Sequence, residues 1–276
     1  MLFRSPEAPT SLSLFASIAP AYVFSGFAVG LLVGMTGVGG GSLMTPLLVL
    51  LFGVHPATAV GTDLLFAAVT KTAGMAVHGL NRTVDWAVTG LLALGSVPAT
   101  AATLWVLSQV QASTGGGSRL ISLVLGVMLM VTATTLIFRR ALRRFVERRH
   151  IADVGHEEQR GAATVALGVL LGVVVSISSV GAGAIGMTAL LMLYPRRPIA
   201  RLIGSDIAHA VPLTLIGGLG HWMIGSVDLG LLASLLVGSI PGVLIGSAFG
   251  PRLPEPALRT LLAIILAIVG VKLVAG

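Results

Sequence analysis

The feature that most constrains this chain is a series of ten apolar stretches, most of them long, that continues almost to its end. They lie at 14–36, 41–54, 60–80, 86–108, 119–138, 162–179, 182–194, 203–222, 228–249 and 256–275. Most are close to the roughly 20 residues that an α-helix needs to cross a bilayer. With a mean hydropathy of +0.99 and only 10% charged residues, a water-soluble fold is excluded. The sequence therefore predicts an all-α integral membrane protein.

An internal repeat divides these stretches into two sets of five. At an offset of 143 residues, Gly61-Thr62-Asp63 matches Gly204-Ser205-Asp206, and His78 matches His221. Apolar bias alone does not produce such matches of Gly, Asp and His in fixed order, which indicates a duplication. We predict a first transmembrane repeat at 1–138, a basic cytoplasmic connection at 139–161 and a second transmembrane repeat at 162–276.

The first two stretches of each repeat are predicted to form a broken or re-entrant hairpin. Glycine-rich and serine-rich breaks at 36–42 and 176–183 leave second arms of only about 13 residues, too short for a comfortable span. Whether five segments of each repeat cross the membrane or only three, the number is odd, so the second repeat is inverted relative to the first. The prediction is 8 to 10 hydrophobic segments in total. Paired glycine-broken segments in corresponding positions indicate the substrate site of a transporter.

Glycine is unusually abundant, with 36 residues in the chain. Two rows at helical spacing stand out: Gly26, Gly30 and Gly34, and Gly242, Gly246 and Gly250. Small residues in such rows let membrane helices approach closely. We expect close packing within one molecule rather than a dimer motif.

The positive charges are concentrated in one connection. Seven of the fifteen arginines lie within 139–161, which the positive-inside rule assigns to the cytoplasm. Both termini are then expected on the opposite side. The net charge of +7 is therefore explained by arginines that set the orientation of the chain in the membrane. For this reason we expect no nucleic-acid partner. The absence of cysteine excludes disulfides and thiolate metal sites.

The glycine-rich run at 34–42 (GMTGVGGGS), followed by Pro56 and Gly61-Thr62-Asp63 and echoed in the second half, resembles the sulfite exporter TauE/SafE family. This family is also called the 4-toluene sulfonate uptake permease family. The resemblance implies transport of small sulfur-containing anions or organosulfonates across the bacterial cytoplasmic (inner) membrane. The second half departs from the pattern, with Ala182 in place of a glycine and no proline matching Pro46. That difference argues against a symmetric mechanism with two sites.

A lysine inside an apolar segment and the glycine breaks are the candidates for binding an anion. Lys71 lies near the middle of its segment, where a lone charge is costly and normally faces a cavity or a partner. It would either hold the anion or form a structural pair with Asp63 or another carboxylate, and its repeat equivalent is uncharged Thr214.

Backbone amides and hydroxyl groups at the breaks are a second source of anion affinity. The alternative is that these glycines only permit a tight turn. The candidates are Thr36, Gly39, Gly40, Gly41, Ser42, Ser178, Ser179, Gly181 and Gly183.

Five further residues are candidates for proton coupling or gating: Asp63, His78, Asp206, His209 and His221. Histidine titrates near neutral pH and is suited to a proton relay, although a histidine at a helix end more often caps or packs. Asp63 and Asp206 are expected at the beginnings of their segments, where an acidic residue suits the helix dipole. Capping is therefore the first interpretation of these aspartates, and proton coupling is the second.

These features together predict a secondary transporter of a small anion. A passive anion channel would use the same inverted fold, so it remains the alternative. An intramembrane enzyme is disfavoured because the chain contains neither a His-Glu-x-x-His zinc motif nor a Gly-x-Ser-x-Gly turn. We expect no cofactor and no metal, with the anion and the lipid bilayer as partners. Homo-oligomerisation stays open.

Overall fold

The computed structural model describes residues 19–36, 41–80, 82–114, 123–134, 137–138, 157–180, 183–249 and 255–275. Within these ranges the chain is helical with short connections. The helices of the described part are α1 Pro20–Thr36, α2 Gly41–Phe52, α3 Pro56–Leu80, α4 Trp86–Thr114, α5 Leu123–Thr134, α6 Glu157–Ser178, α7 Ala184–Leu193, α8 Ile199–Met223, α9 Leu229–Phe249 and α10 Glu255–Ala275. They correspond one for one to the ten apolar stretches, which confirms the predicted all-α fold.

The first helix of each repeat packs against the fourth helix of the other repeat: α1 on α9, and α6 on α4. Gly26 in α1 lies against the backbone of Leu235 in α9, and the equivalent Gly168 lies against Leu92. A side chain on either glycine would collide with a carbonyl oxygen, so these helices touch backbone to backbone. The two repeats are therefore interlocked.

The two glycine rows found in the sequence face each other in this α1–α9 interface. Gly30 approaches the backbone of Ser239, while Gly242 and Gly246 approach the backbones of Phe27 and Leu31. The predicted close packing within the molecule is thus confirmed for the described glycines. Gly34 and Gly250 lie outside this comparison because their surroundings are not described.

Helices α3 and α8, the third of each repeat, lie side by side and also contact α4 and α9. Gly61 near the beginning of α3 faces His221 near the end of α8, whereas Leu64, further along α3, lies against Gly217. The helices therefore run antiparallel. Because they are equivalent helices of two copies, the copies are inverted relative to each other, as in many transporters.

The beginnings of α4 and α9 are fixed by equivalent contacts between the halves. Ser205 Oγ accepts a hydrogen bond from the Asp85 amide at 2.8 Å, and Thr62 Oγ1 accepts one from the Asp228 amide at 3.1 Å. Both aspartate side chains cap their helices by accepting a bond from the amide three residues later. Arg197 also pairs with Asp85 at 3.0 Å. The repeated Thr62 and Ser205 thus connect the third helix of one half to the fourth helix of the other.

The second arm of each hairpin is too short to cross a membrane. Helix α2 has 12 residues and α7 has 10. At 1.5 Å per residue they extend about 18 and 15 Å, against about 30 Å of hydrocarbon. The first arms are longer: α1 has 17 residues, and α6 is long and apolar enough to span by itself. Each hairpin therefore joins a long arm to a short one.

The outer faces of the helices are apolar. Trp105 on α4 and Leu244 on α9 are each 66% exposed, although both lie in segments with the length and composition of membrane spans. Four described helices meet that criterion: Trp86–Val110, Arg160–Ser178, Ile199–Met223 and Leu229–Gly246. An apolar surface of this kind is suited to lipid tails rather than water. The chain is a multi-pass membrane protein.

Labelling of the two ends of α8 tests the predicted orientation. Arg196 precedes α8 in an arginine-containing connection that should face the cytoplasm, while Met223 ends the helix on the other side and is 87% exposed. In intact cells, an impermeant maleimide should label Met223→Cys, and it should label Arg196→Cys only after permeabilisation. The natural chain, which has no cysteine, is the control. Labelling in the opposite order would reverse the orientation.

The remaining topology predictions fall largely outside the described residues. Most of the connection at 139–161 is not described, so its cytoplasmic location and the domain boundaries around it stay predictions.

Candidate functional site

Asp63 and Asp206 occupy equivalent buried positions in α3 and α8. Helix α3 begins at Pro56, and α8 begins directly after Pro198, so both aspartates lie about two turns inside their helices. The expectation that they cap these helices is wrong. Proline is suited to the beginning of a helix, and with Pro56 and Pro198 at these positions both helices begin earlier than the apolar pattern indicated. Proton coupling, the second interpretation, stays a prediction.

The Asp63 carboxylate is contacted by hydroxyl groups from both halves. Thr45 of α2 donates a hydrogen bond to Oδ2, and Ser179, just after the end of α6, lies beside the same carboxylate. Among the described residues, neither Asp63 Oδ1 nor Ser179 Oγ has a hydrogen-bond partner of good geometry. Leaving a buried carboxylate oxygen without a donor costs free energy. The unpartnered oxygen of Asp63 can therefore accept a proton or contact a ligand.

The Asp206 carboxylate lies against a glycine of the short helix α7. A Cβ atom at Gly186 would be 2.7 Å from Asp206 Oδ1, so a side chain there would displace the carboxylate. Asp206 Oδ1 also has no hydrogen-bond partner among the residues that the structure describes. The two repeat-equivalent aspartates thus each present one unsatisfied oxygen.

Lys71 supplies a positive charge that acts on both aspartates. Its electrostatic interaction is stronger with Asp206 than with Asp63. Within the described part of the chain, however, no ion pair of 4.0 Å or less joins Lys71 to either aspartate. Its repeat equivalent, Thr214, instead donates a hydrogen bond to the Ala210 carbonyl of its own helix. The charge therefore belongs to one half only, and both interpretations of Lys71 stay open, with Asp206 as a second carboxylate partner.

His209 connects α8 to α4 beside this group of charges. Its Nε2 atom is 2.8 Å from Ser96 Oγ, and both residues are completely buried. Its Nδ1 atom has no partner within the described residues, and Lys71 lies within electrostatic range. Ser96 was missed as a candidate, although its match to Ser239 within the repeat was visible in the sequence.

His221 holds the end of α6 in place. Its Nε2 atom is 2.8 Å from the Ser176 carbonyl oxygen. A carbonyl oxygen only accepts, so Nε2 carries the hydrogen and donates. This contact matches the packing interpretation, while gating by His221 and His78 stays a prediction. The side chain of His78 lies outside the described residues.

The second glycine break contains irregular backbone between α6 and α7. Ser179 has φ of 57°, a left-handed conformation that residues other than glycine adopt infrequently, and the Ser178 hydroxyl accepts a bond from the Val180 amide. Helix α7 follows Gly183, which has no side chain to cap it. Uncapped amides at the beginning of a helix favour an anion.

The first glycine break cannot be compared with the second. Gly39, Gly40 and Gly181 lie outside the described residues, as do the side chains of Thr36 and Ser42. Gly41 begins α2. That the two glycine breaks together form the substrate site therefore stays a prediction.

Comparison with known proteins agrees with this architecture. The family described as sulfite exporter TauE/SafE matches residues 22–273. "Probable membrane transporter protein YjnA" of Bacillus subtilis is 37% identical over 252 residues, which cover 91% of this chain and 98% of the relative. "Probable membrane transporter protein YdhB" of the same organism is 26% identical over 255 residues, covering 90% and 96%. No solved structure matches the chain significantly.

The family match covers almost the whole chain, and the names of the relatives are those of transporters rather than enzymes, as the sequence predicted. The inverted repeats and the buried polar group between them are what a transporter requires. The chain is thus a membrane transporter that belongs to the sulfite exporter TauE/SafE family.

Proposed function

We propose that this protein moves a small anion, sulfite or an organosulfonate, across the cytoplasmic (inner) membrane of a bacterium by secondary transport. The family description supports the class of substrate. The observation that carries the proposal is that Lys71 of the first half lies within electrostatic range of two buried aspartates, Asp63 of its own half and Asp206 of the other. Ser179, just after the end of α6, lies beside Asp63.

The chemistry of this region is suited to an anion with several oxygen atoms. An ammonium group provides three donors around one charge. The Ser179 hydroxyl, which has no hydrogen-bond partner among the described residues, and the amides at the beginning of α7 add donors. Sulfite and sulfonates each present three oxygens on one sulfur, so several donors can bind one ligand. Because the groups come from both repeats, rocking of one repeat against the other would expose them to alternate sides.

A panel of anions tests this function on the purified full-length protein. Sulfite or a short sulfonate should raise the unfolding temperature, because a ligand that binds only the folded state stabilises it by about 2.7 kcal/mol at 100 times its Kd. Sulfate and thiosulfate are the comparison anions. In proteoliposomes, the stabilising anion should accumulate against its gradient. Equilibration without accumulation would identify a passive channel, and a panel without any effect would contradict the anion assignment.

A further inference from the structure

An anion that binds beside Lys71 enters a group of residues that is already acidic. Two aspartates and one lysine leave a net charge of −1 when all three are ionised. A monovalent anion would bring this to −2 in a region of low dielectric, where such repulsion is strong. Some compensation must therefore accompany the anion.

The surrounding helices provide no further fixed charge. Helices α2, α4, α7 and α9 contain no titratable side chain, and neither does α6 between 161 and 178. On α8, His209 and His221 each form a hydrogen bond through Nε2, and Nδ1 of each has no partner among the described residues. A proton on His209 would add a second positive charge within electrostatic range of Lys71, and a charged imidazolium with an unpartnered N–H is costly at either buried position. His78 on α3 has an undescribed side chain. Compensation by a residue of these described segments is thus limited to the aspartates themselves.

The two aspartates differ in their surroundings. Lys71 interacts more strongly with Asp206 than with Asp63. Asp63 instead accepts a hydrogen bond from Thr45 on one oxygen and has an unpaired oxygen beside the unpaired hydroxyl of Ser179. A protonated Asp63 would become a donor, and Ser179 Oγ has acceptor capacity for that hydrogen.

We propose that Asp63 binds a coupling proton, which enters and leaves together with the anion. The inference rests on the proposed anion transport and adds the coupling ion to it. The proton comes from water on one side and forms an O–H bond at the Asp63 carboxylate. It then returns to water on the other side when that bond breaks. The cluster keeps its charge of −1 with anion and proton bound, so both move in the same direction.

Calorimetric titration of the full-length protein with ethanesulfonate measures this proton directly. A sulfonate stays a monovalent anion throughout pH 5 to 8, so any proton taken up belongs to the protein. Binding heats in two buffers of different ionisation enthalpy should show about one proton taken up per anion by the natural chain. Affinity should fall with rising pH, by up to about tenfold per pH unit.

Three variants assign the proton. Asp63→Asn should bind ethanesulfonate with almost no proton uptake and little dependence on pH. Asp228→Asn, which changes an aspartate that caps α9 outside the cluster, should keep the proton uptake of the natural chain. Proton uptake that persists in Asp63→Asn but disappears in Asp206→Asn would overturn the assignment.

Titration of the natural chain tests proton coupling even if a variant fails to fold. Binding without proton uptake, or binding that requires Na⁺ instead, would overturn proton coupling and leave anion transport intact. A lack of binding heat with either ethanesulfonate or sulfite at pH 5 would overturn the proposed function, and the inference with it.

Discussion

Replacing Lys71 with methionine should reduce anion affinity by roughly 10- to 150-fold, because a hydrogen bond to a charged group contributes about 1.5–3 kcal/mol. Methionine keeps the length of the side chain and removes its charge. Lys71→Arg keeps the charge in a different shape and should retain weakened binding. Uptake of labelled sulfite into proteoliposomes measures both variants. Thr72→Met, at the exposed neighbouring position of α3, is the matched control and should transport normally.

The same variants separate an anion site from a structural pair. If Lys71 only balances a carboxylate, Lys71→Met leaves that carboxylate buried without compensation and should lower the unfolding temperature. Adding Asp206→Asn, or Asp63→Asn, would then restore stability, since the two changes act on one interaction. Full anion affinity in Lys71→Met would exclude the lysine as the binding group. The amides and hydroxyls of the second break would then be the remaining candidates.

Gly95→Ala should destabilise the folded protein by about 1–3 kcal/mol, the usual cost of forcing extra atoms into a packed interface. An added methyl group at Gly95 in α4 would strike the backbone of α6 at the Val165 carbonyl and would lie 2.8 Å from the Val169 amide. Gly238→Ala in α9 should behave similarly, because this glycine faces Val23 of α1 in the equivalent crossing. Thermal unfolding in detergent measures the change.

Gly90→Ala is the control on the same helix as Gly95. No atom lies within 4 Å of a Cβ placed at Gly90, so the substitution should leave stability unchanged or improve it through the higher helix propensity of alanine. Equal unfolding temperatures for the Gly90 and Gly95 variants would show that α4 and α6 do not approach as closely as the structure has them.

The helices could be predicted from the sequence because lipid requires long apolar segments, but their beginnings could not be placed by hydropathy alone. The apolar pattern put the beginning of α3 near residue 60, whereas the helix begins at Pro56. Proline lacks an amide hydrogen and has a fixed φ, so it favours the first turn of a helix. Weighing Pro56 and Pro198 as helix beginnings would have placed both aspartates in helix interiors.

The site was predictable only in part. The repeat identified Asp63 and Asp206 as equivalent, because a duplication preserves positions along the chain. It could not identify Ser96 as the partner of His209, since that contact joins residues 113 positions apart on α4 and α8. A repeat shows which helices correspond, but which helices touch depends on how the two copies pack.

The first helix of each repeat packs against the other repeat, and this arrangement determines the order in which the protein can assemble. Helix α1 leaves the ribosome early, but its packing partner α9 is synthesised about 200 residues later, which takes about 10–40 s at 5–20 residues per second. During that interval the glycine face of α1, which later meets the backbone of α9, is exposed to lipid or to the insertion machinery. Helix α6, in contrast, emerges after its partner α4 and can pack as soon as it is inserted. The second repeat can therefore assemble onto the first during translation, whereas the first is completed only when the chain is almost finished.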